Sequence, residues 1–408
     1  MSGKPIRVII GKGFGDEGKG LAVNYFCGKV PGTVVIKHNG GAQAGHTVEP
    51  EGKRFVFHQL SAGSFCNADT FWADSYYPDL YKLGEEIDEF RSVSGMCPKI
   101  YCDPGTNVAL IDDVLINMLL ELSRGDGRHG SCGMGINECD LRTGAGFGIT
   151  VKDLLSLSSS DVVKRVNDIR ESYGKQRMSE LGLGRQSAIS SEMTELFDSL
   201  SSKIVIENAV EEMMRNADRY VTLCDDTGKF LESHDQIIFE SGQGLLLDSE
   251  NTEYAPHVTA SRTGLFHPVR ILSKYGMSLS EAVYVTRSYV TRHGAGRLPY
   301  ECPASELGIT SPDETNVHNS WQGSIRYAKH GSADEFVKPV MADTRENSTC
   351  DVRASLFITH LNETDGKLMT CAGDIPVADF IADPVIKKVI SSFYFSYSKT
   401  GAEEFALY

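Results

Sequence analysis

The residues Gly13–Gly20 read GFGDEGKG and could bind phosphate. A glycine followed after four residues by Gly-Lys is the core of the P-loop, which next needs Ser or Thr to hold magnesium. Here Gly20 stands at that position, and an acid pair lies inside the loop. The strand-like run Val8–Ile10 precedes the loop and the helix-like run Leu21–Phe26 follows it, an arrangement that aims backbone N–H groups at an anion. With Lys19 as a positive charge, these residues predict a phosphate site rather than a plain glycine turn.

Two further glycine-rich loops also follow strand-like runs. NGGAQAGHT, residues Asn39–Thr47, comes after Val34–Ile36 and carries His46. A histidine in such a loop can transfer protons near neutral pH, although a structural or solvated histidine fits the pattern equally well. FESGQGLLLD, residues Phe239–Asp248, places Gln243 beyond the carboxyl end of a strand, where open α/β sheets bind ligands. A plain turn residue is the alternative there.

A third segment, VTRSYVTRHGAGRLPYE at Val285–Glu301, carries three arginines around a glycine-rich turn. Arginine recognises phosphate and carboxylate with two parallel N–H donors. Arg287, Arg292 and Arg297 therefore fit anion recognition, and a solvated loop explains them equally well.

The elements that must position these residues are short apolar runs next to Gly, Asp or Asn, which are typical of buried parallel strands. Apolar residues at helical spacing predict helices over Val108–Leu122 and Val151–Tyr173. Strands alternating with helices predict an α/β fold with a mostly parallel central sheet. Gly125–Gly148 is predicted to be a long loop and the serine-rich Met178–Lys203 a surface insertion. The predicted strands are Val8–Ile10, Val34–Ile36, Ile204–Ile206, Ile237–Phe239, Val283–Thr286 and Phe357–Thr359.

The composition limits the size of the core and the choice of partners. The chain has 408 residues, of which 41% are hydrophobic, and a net charge of −15. We expect one domain over residues 1–408 with a loop and helical insertion at about 125–203. The negative charge argues against nucleic acid or an anionic membrane as the main partner. No signal peptide or membrane span is evident, and the ten cysteines form no CxxC pair, which predicts a cytoplasmic protein with reduced thiols and no zinc site.

Taken together, the motifs resemble the adenylosuccinate synthetase family. GFGDEGKG followed by GGAQAGHT is similar to the family's GxQWGDEGKGK and GGxNAGHT. ESGQGLLLD, PHVTASRTG and TRHGAGRLPYE resemble EGAQGxLLD, PxVTSSNT and TRVGxGPFPTE in the same order, so the resemblance spans roughly Ile6–Glu301. It implies the family's fold, with a P-loop-like phosphate site in a mostly parallel sheet. It also implies a Mg²⁺-dependent homodimeric ligase that phosphorylates the 6-oxo group of a purine nucleotide such as IMP with GTP or ATP, then joins the amine of L-aspartate at C6.

The resemblance also implies catalytic roles. Asp16 would be the general base that takes the N1 proton of the nucleotide, and would bind magnesium together with the backbone carbonyl of Gly45. Lys19 would contact the transferred phosphate, and His46 would be the general acid that stabilises the developing charge. Arg142 is the candidate for an arginine that the family lends across its dimer interface. The implied nucleotide-binding residues are Gly13, Phe14, Gly15, Glu17, Gly18, Gly20, Asn39, Gln43, Gly45, Thr47, Ser131, Cys132, Arg142, Gln243, Thr259, His360 and Asn362.

Two departures from the family pattern leave the substrates open. The aspartate loop, similar to TTGRxRRxGW in the family, reads TNVHNSWQG at Thr315–Gly323, with Asn316 and His318 in place of arginines. A dicarboxylate favours bidentate arginine, so either another arginine such as Arg326 holds aspartate or the amine is a different one. The guanine-reading TKLD appears as THLN, in which Asn362 replaces the aspartate. A neutral amide reads guanine less exclusively, which leaves both GTP and ATP as donors.

Three classes of activity remain open from the sequence. The leading one is the ligase, acting on an IMP-like acceptor. Some phage relatives in the family instead use GMP or dGMP to make 2-aminoadenylosuccinate nucleotides, but the resemblance links those to loss of the loop aspartate, and Asp16 is present. The second class is a nucleotide-binding protein without ligase activity, which the missing arginines favour and the presence of Asp16, Lys19 and His46 opposes. The third is a true P-loop NTPase, which lacks support because no Ser or Thr follows Lys19.

Overall fold

The computed structural model describes residues 3–125, 133–310, 323–347 and 352–406. The predicted site residues Ser131, Cys132, Asn316 and His318 lie outside these ranges. The strands are β1 (Ile6–Gly11), β2 (Thr33–Lys37), β3 (His46–Val48), β4 (Phe55–Phe57), β5 (Asp69–Trp72), β6 (Ile100–Cys102), β7 (Val221–Leu223), β8 (Gln236–Gly244), β9 (Glu281–Arg287), β10 (Val290–Arg292), β11 (Arg326–Ala328), β12 (Arg353–Thr359), β13 (Lys367–Thr370), β14 (Gly373–Pro376), β15 (Ser392–Phe395) and β16 (Glu403–Ala406).

The helices connect and cover these strands. They are α1 (Lys19–Cys27), α2 (Leu83–Ser94), α3 (Ile111–Ser123), α4 (Ile136–Gly144), α5 (Val151–Ser156), α6 (Ser159–Ile169), α7 (Lys175–Glu180), α8 (Ser191–Ser201), α9 (Lys203–Tyr220), α10 (Thr227–Glu232), α11 (Phe266–Lys274), α12 (Ala333–Asn347), α13 (Val377–Ala382) and α14 (Pro384–Val389). No helix in the described ranges is long and apolar enough to cross a membrane.

The central sheet has ten strands in the order β16-β15-β12-β9-β1-β8-β2-β5-β6-β7. Each pairing is parallel except that of β15 with β16, so the predicted α/β fold with a mostly parallel sheet is confirmed. β8 inserts between β1 and β2, although it follows both in sequence. The loops that leave β1, β2 and β8 therefore open at one edge of the sheet, side by side, which is where the glycine-rich motifs lie.

The two faces of the sheet bury two hydrophobic clusters, because successive side chains of a strand point to opposite faces. In β1, Ile9 joins the cluster that contains Leu21 of α1. Val8 and Ile10 join the other cluster, with Phe336 of α12. The helix that follows the phosphate motif and the helix α12 thus lie on opposite faces of the same strand.

Five of the six predicted strands are confirmed, lying within β1, β2, β8, β9 and β12. The prediction at Ile204–Ile206 is wrong, because these residues lie in the first turn of α9. Ile204 is 66% exposed, whereas Ile206, Val210 and Met213 are buried on one helical face. The three β-branched residues indicated a strand only in a short window; over four turns the apolar spacing is helical. The Ser202 hydroxyl accepts from Val205 N at 3.4 Å and caps the helix.

The predicted helix Val108–Leu122 exists as α3 but begins three residues later. Leu110 is extended, and its N–H donates to the Asp113 carboxylate at 2.9 Å, which fixes the start of the helix. The predicted helix Val151–Tyr173 is split into α5, α6 and a further helical turn, because Leu157 is extended and Ser158 caps α6.

The prediction of a continuous loop at Gly125–Gly148 is wrong in part, since α4 lies inside it. Gly135 has a φ of +69°, and an added Cβ there would lie 2.5 Å from the backbone of α3, so only glycine allows this close approach. Within Met178–Lys203, α8 packs Met193 and Phe197 against Leu119 and Leu122 of α3. The insertion therefore has a small hydrophobic cluster of its own.

Candidate functional site

The loop after β1 turns sharply at the carboxyl edge of the sheet before α1 begins at Lys19. Gly15, Asp16 and Gly18 have φ values of +102°, +62° and +92°. Asp16 is thus a non-glycine residue in the left-handed region, which is uncommon and often found at functional sites. An added Cβ on Gly18 would lie 3.0 Å from Cγ2 of Thr359, at the end of β12. The loop is held between β1 and β12.

Glu17, one of the two acids in the loop, satisfies the loop's own donors. Its buried Oε1 accepts from Gly13 N at 3.0 Å and Gly15 N at 2.8 Å, and Oε2 lies 2.8 Å from Lys19 Nζ. Burial alone would raise the pKa of Glu17, but the charge and hydrogen bond of Lys19, with the Gly15 N–H, outweigh it and lower the pKa. In phosphate-binding loops, backbone N–H groups like these point at the bound anion. Here the Glu17 carboxylate occupies them, which shows that the loop is arranged to bind negative charge.

Asp16 projects its carboxylate toward the open edge, with 23% of its side chain exposed, and His293 Nε2 lies 3.6 Å from its Oδ2. Burial raises the pKa of Asp16, opposed by the positive charges of His293, Arg287 and Lys19. Arg287 also donates Nε to the Asp16 backbone carbonyl at 2.6 Å, which holds the left-handed turn. A carboxylate with a raised pKa is a stronger base, which suits proton abstraction near neutral pH.

His46 begins β3 and lies against α1. An added Cβ on Gly20 would lie 3.1 Å from His46 Cβ, so the histidine sits beside the helix turn that carries Lys19. His46 Nδ1 is hydrogen-bonded to the buried Glu240 Oε1, and Nε2 lies 3.3 Å from the Gly242 carbonyl. Burial lowers the pKa of His46 despite the opposing charge of Glu240. The ring is therefore fixed in orientation, as an imidazole that takes part in proton transfer must be.

The Glu240 carboxylate is a functional residue that the motif analysis missed. Burial opposes its ionisation, but the charges of Lys37 and His46 lower its pKa to about 2. Lys37 Nζ lies 3.7 Å from Glu240 Oε1, and Ala62 N donates to Oε2 at 3.1 Å. A signal was present in the sequence: Lys37 and Glu240 are charged residues that directly follow the apolar runs Val34–Ile36 and Ile237–Phe239, and β2 and β8 pair them in register.

Amide side chains form a polar patch beside the histidine. Asn39 Oδ1 accepts from Gly242 N at 2.9 Å, and Asn39 Nδ2 lies 3.4 Å from Gln243 Oε1. Gln43 packs against Gly40: a Cβ added to Gly40 would lie 2.8 Å from Gln43 Nε2. Among the described residues, the buried Gln43 Oε1 has no hydrogen-bond partner. Thr259 N donates to Leu247 O at 2.8 Å, which keeps Thr259 next to the loop after β8. The structure thus brings four of the predicted nucleotide residues to one edge.

The predicted guanine-reading segment also lies beside the phosphate loop. The Thr359 hydroxyl donates to Glu17 O at 2.7 Å, and His360 Nδ1 lies 2.8 Å from the same hydroxyl. Asn362 follows within the same turn after β12, which borders β9 in the sheet. The hydrogen bond from Thr359, at the end of β12, therefore places this segment beside the phosphate loop.

Arg142 lies apart from these residues, in the interior of its own subunit. Its guanidinium pairs with Asp113 at 2.8 Å and donates to the Phe147 carbonyl at 2.7 Å and the Val108 carbonyl at 2.9 Å. The arginine is completely buried and all three of its nitrogens are engaged. In this arrangement it fastens α4 to α3, and it would have to leave these partners to reach a nucleotide of a second subunit.

The arginines after β9 differ in their surroundings. Arg292 lies 4.6 Å from the Phe14 ring centroid and donates to the carbonyls of Arg297 and His257 at 2.8 Å each. Arg326 forms a two-point ion pair with Glu301, at 2.8 Å for Nε and 2.5 Å for Nη2, and donates to the Gly296 carbonyl. Both side chains fasten the glycine-rich turn to its surroundings. Arg287 hydrogen-bonds the backbone of the phosphate loop at Asp16, whereas Arg292 contacts that loop through the ring of Phe14.

The donor set around the loop fits a magnesium ion. Within the described ranges, no group of three or more His, Cys, Asp and Glu could hold a metal by itself. Magnesium is usually bound by one or two carboxylates together with substrate phosphates rather than by a cage of protein ligands. The partly exposed carboxylate of Asp16, next to a loop built for an anion, meets that requirement.

A family model described as adenylosuccinate synthetase matches residues 8–318. The chain is 28% identical over 356 residues to the adenylosuccinate synthetase of Corynebacterium jeikeium, covering 81% of this chain and 76% of that protein. It is 27% identical over 310 residues to that of Thermoanaerobacter sp., covering 72% of this chain. The match spans 65% of the length of the Thermoanaerobacter protein.

Two solved structures share the fold. One is the fully ligated adenylosuccinate synthetase of Plasmodium falciparum, with a TM-score of 0.64 and 19% identity, covering 88% of this chain and 78% of that one. The other is the cyanophage S-2L succinoaminodeoxyadenylate synthetase bound to dGMP and dATP. It has a TM-score of 0.61 and 14% identity, and the match covers 98% of this chain and 95% of that one.

Proposed function

The chain belongs to the adenylosuccinate synthetase family and is a C–N bond-forming ligase, and we propose that it uses GTP or ATP to join the amine of L-aspartate to C6 of a 6-oxopurine nucleotide such as IMP. One observation carries this proposal: the base, the phosphate-contacting lysine and the Glu240-held histidine lie at one edge of the sheet. Lys19 acts electrostatically on both Asp16 and His46, so the three groups form one site.

The chemistry explains why a base and an acid are both needed. The 6-oxo group of a purine is a poor leaving group. Asp16 removes the N1 proton, O6 then forms a bond to the γ-phosphorus, and the bond from that phosphorus to the nucleoside diphosphate breaks. The amine nitrogen next attacks C6, the C6–O6 bond breaks, and inorganic phosphate leaves. Lys19 and His46 act on the first transfer, in which charge spreads over the phosphoryl oxygens.

The residues that would hold Mg²⁺ are the Asp16 carboxylate and the Gly45 backbone carbonyl. When bound, the ion would neutralise negative charge on the phosphates of the donor nucleotide. Glu17 keeps the loop in shape beside them: its carboxylate binds Gly13 N, Gly15 N and Lys19 Nζ. Phosphate binding at the same donors requires this carboxylate to give up part of its contacts.

The acceptor nucleotide would lie against Asn39, Gln43, Gln243 and Thr259. Gln43 supports this placement, because its buried carbonyl oxygen has no partner among the described residues and can accept from a ligand. The donor nucleotide would lie toward His360 and Asn362. We further propose a cytoplasmic homodimer. Since Arg142 is committed to Asp113, its predicted role across the dimer interface is the weakest part of this assignment.

A second candidate is a synthetase that acts on GMP or dGMP and yields a 2-aminoadenylosuccinate nucleotide. Asn362 favours it, because the neutral amide no longer selects a guanine donor and leaves ATP as an alternative. The cyanophage synthetase that shares the fold is bound to dGMP and dATP. Asp16 favours the IMP-like acceptor instead. A binding protein that has lost ligase activity is a third candidate, supported by the missing arginines of the aspartate loop.

The test is phosphate release from GTP or ATP with magnesium and IMP, dIMP, GMP or dGMP, first without and then with aspartate or other amines. We expect release only when an acceptor and an amine are both present. The acceptor with the greatest turnover identifies the enzyme. Hydrolysis without either co-substrate would make the protein an NTPase. Binding of nucleotide with no turnover under any combination would make it a binding protein.

A further inference from the structure

A second cavity lies behind the phosphate loop, on the other face of the sheet from α1 and β3. Its volume is about 570 Å³, which is in the range of small-molecule sites. Gly13, Phe14 and Gly15 form one wall and residues of α12 form another. Glu17 lines it too, but Asp16, Lys19, His46, Asn39 and Gln243 do not. The cavity therefore shares part of the phosphate loop with the proposed active site, but not the proposed catalytic groups.

Lys12 lies at the inner end of this cavity. It follows β1, and its backbone N–H donates to Val285 O at 2.8 Å, so it continues the strand. Because Ile10 faces α12, Lys12 two residues later faces it too. Its residue exposure is only 6%, and its Nζ lies 3.7 Å from the Phe336 ring centroid and 3.3 Å from the Phe336 carbonyl.

The Lys12 ammonium has no ion-pair partner within 4.0 Å among the described residues. An ammonium has three donors, and one carbonyl and an aromatic ring leave one of them for a ligand. Burial lowers the pKa of Lys12 to about 8, partly offset by the charge of Glu17. The neighbouring His330 adds no second positive charge, because burial and the charge of Lys12 lower its pKa to about 3 and keep it neutral. A buried positive charge is normally paired.

Four of the acids that line the cavity have partners within it or beside it. Asp248 binds Arg262 at 2.8 Å and Thr263 N at 2.7 Å. Glu253 lies 3.3 Å from Arg297, and Glu335 accepts from Tyr300 and Ser332. Asp343 accepts from Leu265 N and the Tyr284 hydroxyl, and burial raises its pKa to about 6. Among the lysines that line the cavity, Lys12 is the buried one, and none of these four acids pairs with it.

One part of the cavity wall is aromatic and aliphatic. Phe14 and Tyr254 meet edge to face at 4.9 Å between ring centroids, and Leu246 packs against them. Leu245 and Pro299 extend this surface. Such walls favour a ligand with an apolar or aromatic body.

We propose that this cavity is a second ligand site, which binds a small molecule with one anionic group, a carboxylate or a phosphate monoester, on an apolar body. The anion lies on Lys12 Nζ, and the body lies between Phe14, Tyr254 and Leu246. The site uses none of the proposed catalytic groups Asp16, Lys19 and His46, although Phe14 also belongs to the predicted nucleotide-binding residues. A single ammonium with one remaining donor matches one anionic group rather than a polyphosphate.

The test is isothermal titration calorimetry of the full chain with benzoate, phenyl phosphate and the neutral benzyl alcohol. We expect at least one anion to bind wild-type protein at least tenfold more tightly than benzyl alcohol, and the tighter anion identifies which class the site takes. Equal affinity for benzyl alcohol and both anions, or no binding of either anion, would overturn the proposal. This comparison needs no variant.

Three lysine variants locate the binding. Lys12→Met keeps the length of the side chain and removes the charge, and we expect it to lose at least tenfold in affinity for the anion while the thermal midpoint confirms folding. Lys338→Met removes an exposed lysine that also lines the cavity, and should stay within twofold of wild type. Lys19→Met should keep probe binding. If Lys19→Met loses the probe and Lys12→Met retains it, the probe is in the phosphate loop and the second site is refuted.

Discussion

The loop after β1 and the segment after β9 lie at the same edge of the sheet, but they have departed from the family pattern to different degrees. The loop after β1 retains Asp16 and Lys19, and its backbone donors are satisfied by Glu17. The segment after β9 lacks the arginines of the family's aspartate loop, and Arg292 and Arg326 are engaged with their own subunit. The first loop thus keeps the family's motif, whereas the loop proposed to recognise the amine departs from it.

The two regions also depend on different features of the structure. Phosphoryl transfer depends on backbone geometry at the ends of β1, β2 and β8, which the register of a parallel sheet determines. Amine recognition depends on side chains of a loop, which can change without disturbing the sheet. The amine is for this reason the substrate on which the chain is expected to differ from its relatives.

Replacing Asp16 should have the largest effect of these variants, on phosphoryl transfer. We expect Asp16→Asn to lower the rate of phosphate release about 10³-fold, because the amide cannot take the N1 proton. Nucleotide binding, measured by calorimetry with the acceptor alone, should stay within a few-fold of wild type. Retention of the wild-type rate would show that another group is the base, and loss of acceptor binding would show that Asp16 acts through binding.

The buried Glu240 should make stability depend on acid pH. Its pKa of about 2 in the folded protein lies below the value of about 4.3 for an unfolded glutamate, so the unfolded chain binds the proton more readily. The contribution of about 3 kcal/mol is fully present above about pH 4.3 and is lost as the pH falls toward 2. Urea unfolding between pH 6 and 3 measures it.

The control for this prediction is a pair of matched variants. Glu240→Gln should lose stability at pH 6 and show a flatter pH profile than wild type below about pH 4.3. The exposed Glu51→Gln should keep the wild-type profile. Parallel profiles for wild type and Glu240→Gln would mean that folding does not lower the pKa of Glu240.

Gly18→Ala tests the contact between the phosphate loop and β12. The φ of +92° costs an alanine about 1–2 kcal/mol, and the new Cβ would also press on Thr359 Cγ2 at 3.0 Å. Gly52→Ala is the matched control, because Gly52 has a φ of +79° and nothing within 4 Å. In urea unfolding we expect Gly18→Ala to be about 1 kcal/mol less stable than Gly52→Ala. Equal losses of stability in the two variants would mean that Thr359 moves aside with no penalty in the free energy of unfolding.

Replacing Arg326 should have the smallest effect of these variants, and it is the most informative test of how the amine substrate is bound. Its ion pair with Glu301 is partly exposed and is worth at most about 1 kcal/mol, so Arg326→Met and Glu301→Gln should each change kcat/KM for the amine by less than about fivefold. A rise in KM of more than about 100-fold in Arg326→Met, with Glu301→Gln unaffected, would assign Arg326 to the carboxylate of the amine substrate.

Much of the sheet was predictable from the sequence. Short Val- and Ile-rich runs correctly identified β1, β2, β8, β9 and β12, because strands buried on both faces need no polar alternation. The predicted strand at Ile204–Ile206 was wrong because a short apolar run does not distinguish a strand from a helix. β5 and β6 were missed because each contributes only three or four residues to the sheet. The single-domain organisation remains a prediction.

The sequence alone determined the phosphate loop, the histidine loop and the family to which they belong, since these depend on residues close together in the chain. Only the tertiary structure decided which groups act on them. Glu240 contacts His46, 194 positions away in the chain, because β8 inserts beside β2. Lys12 faces α12 because side chains alternate between the two faces of a strand, and Ile10 two residues earlier faces α12 as well. Pairing between distant strands follows from packing the whole sheet, which no local pattern records.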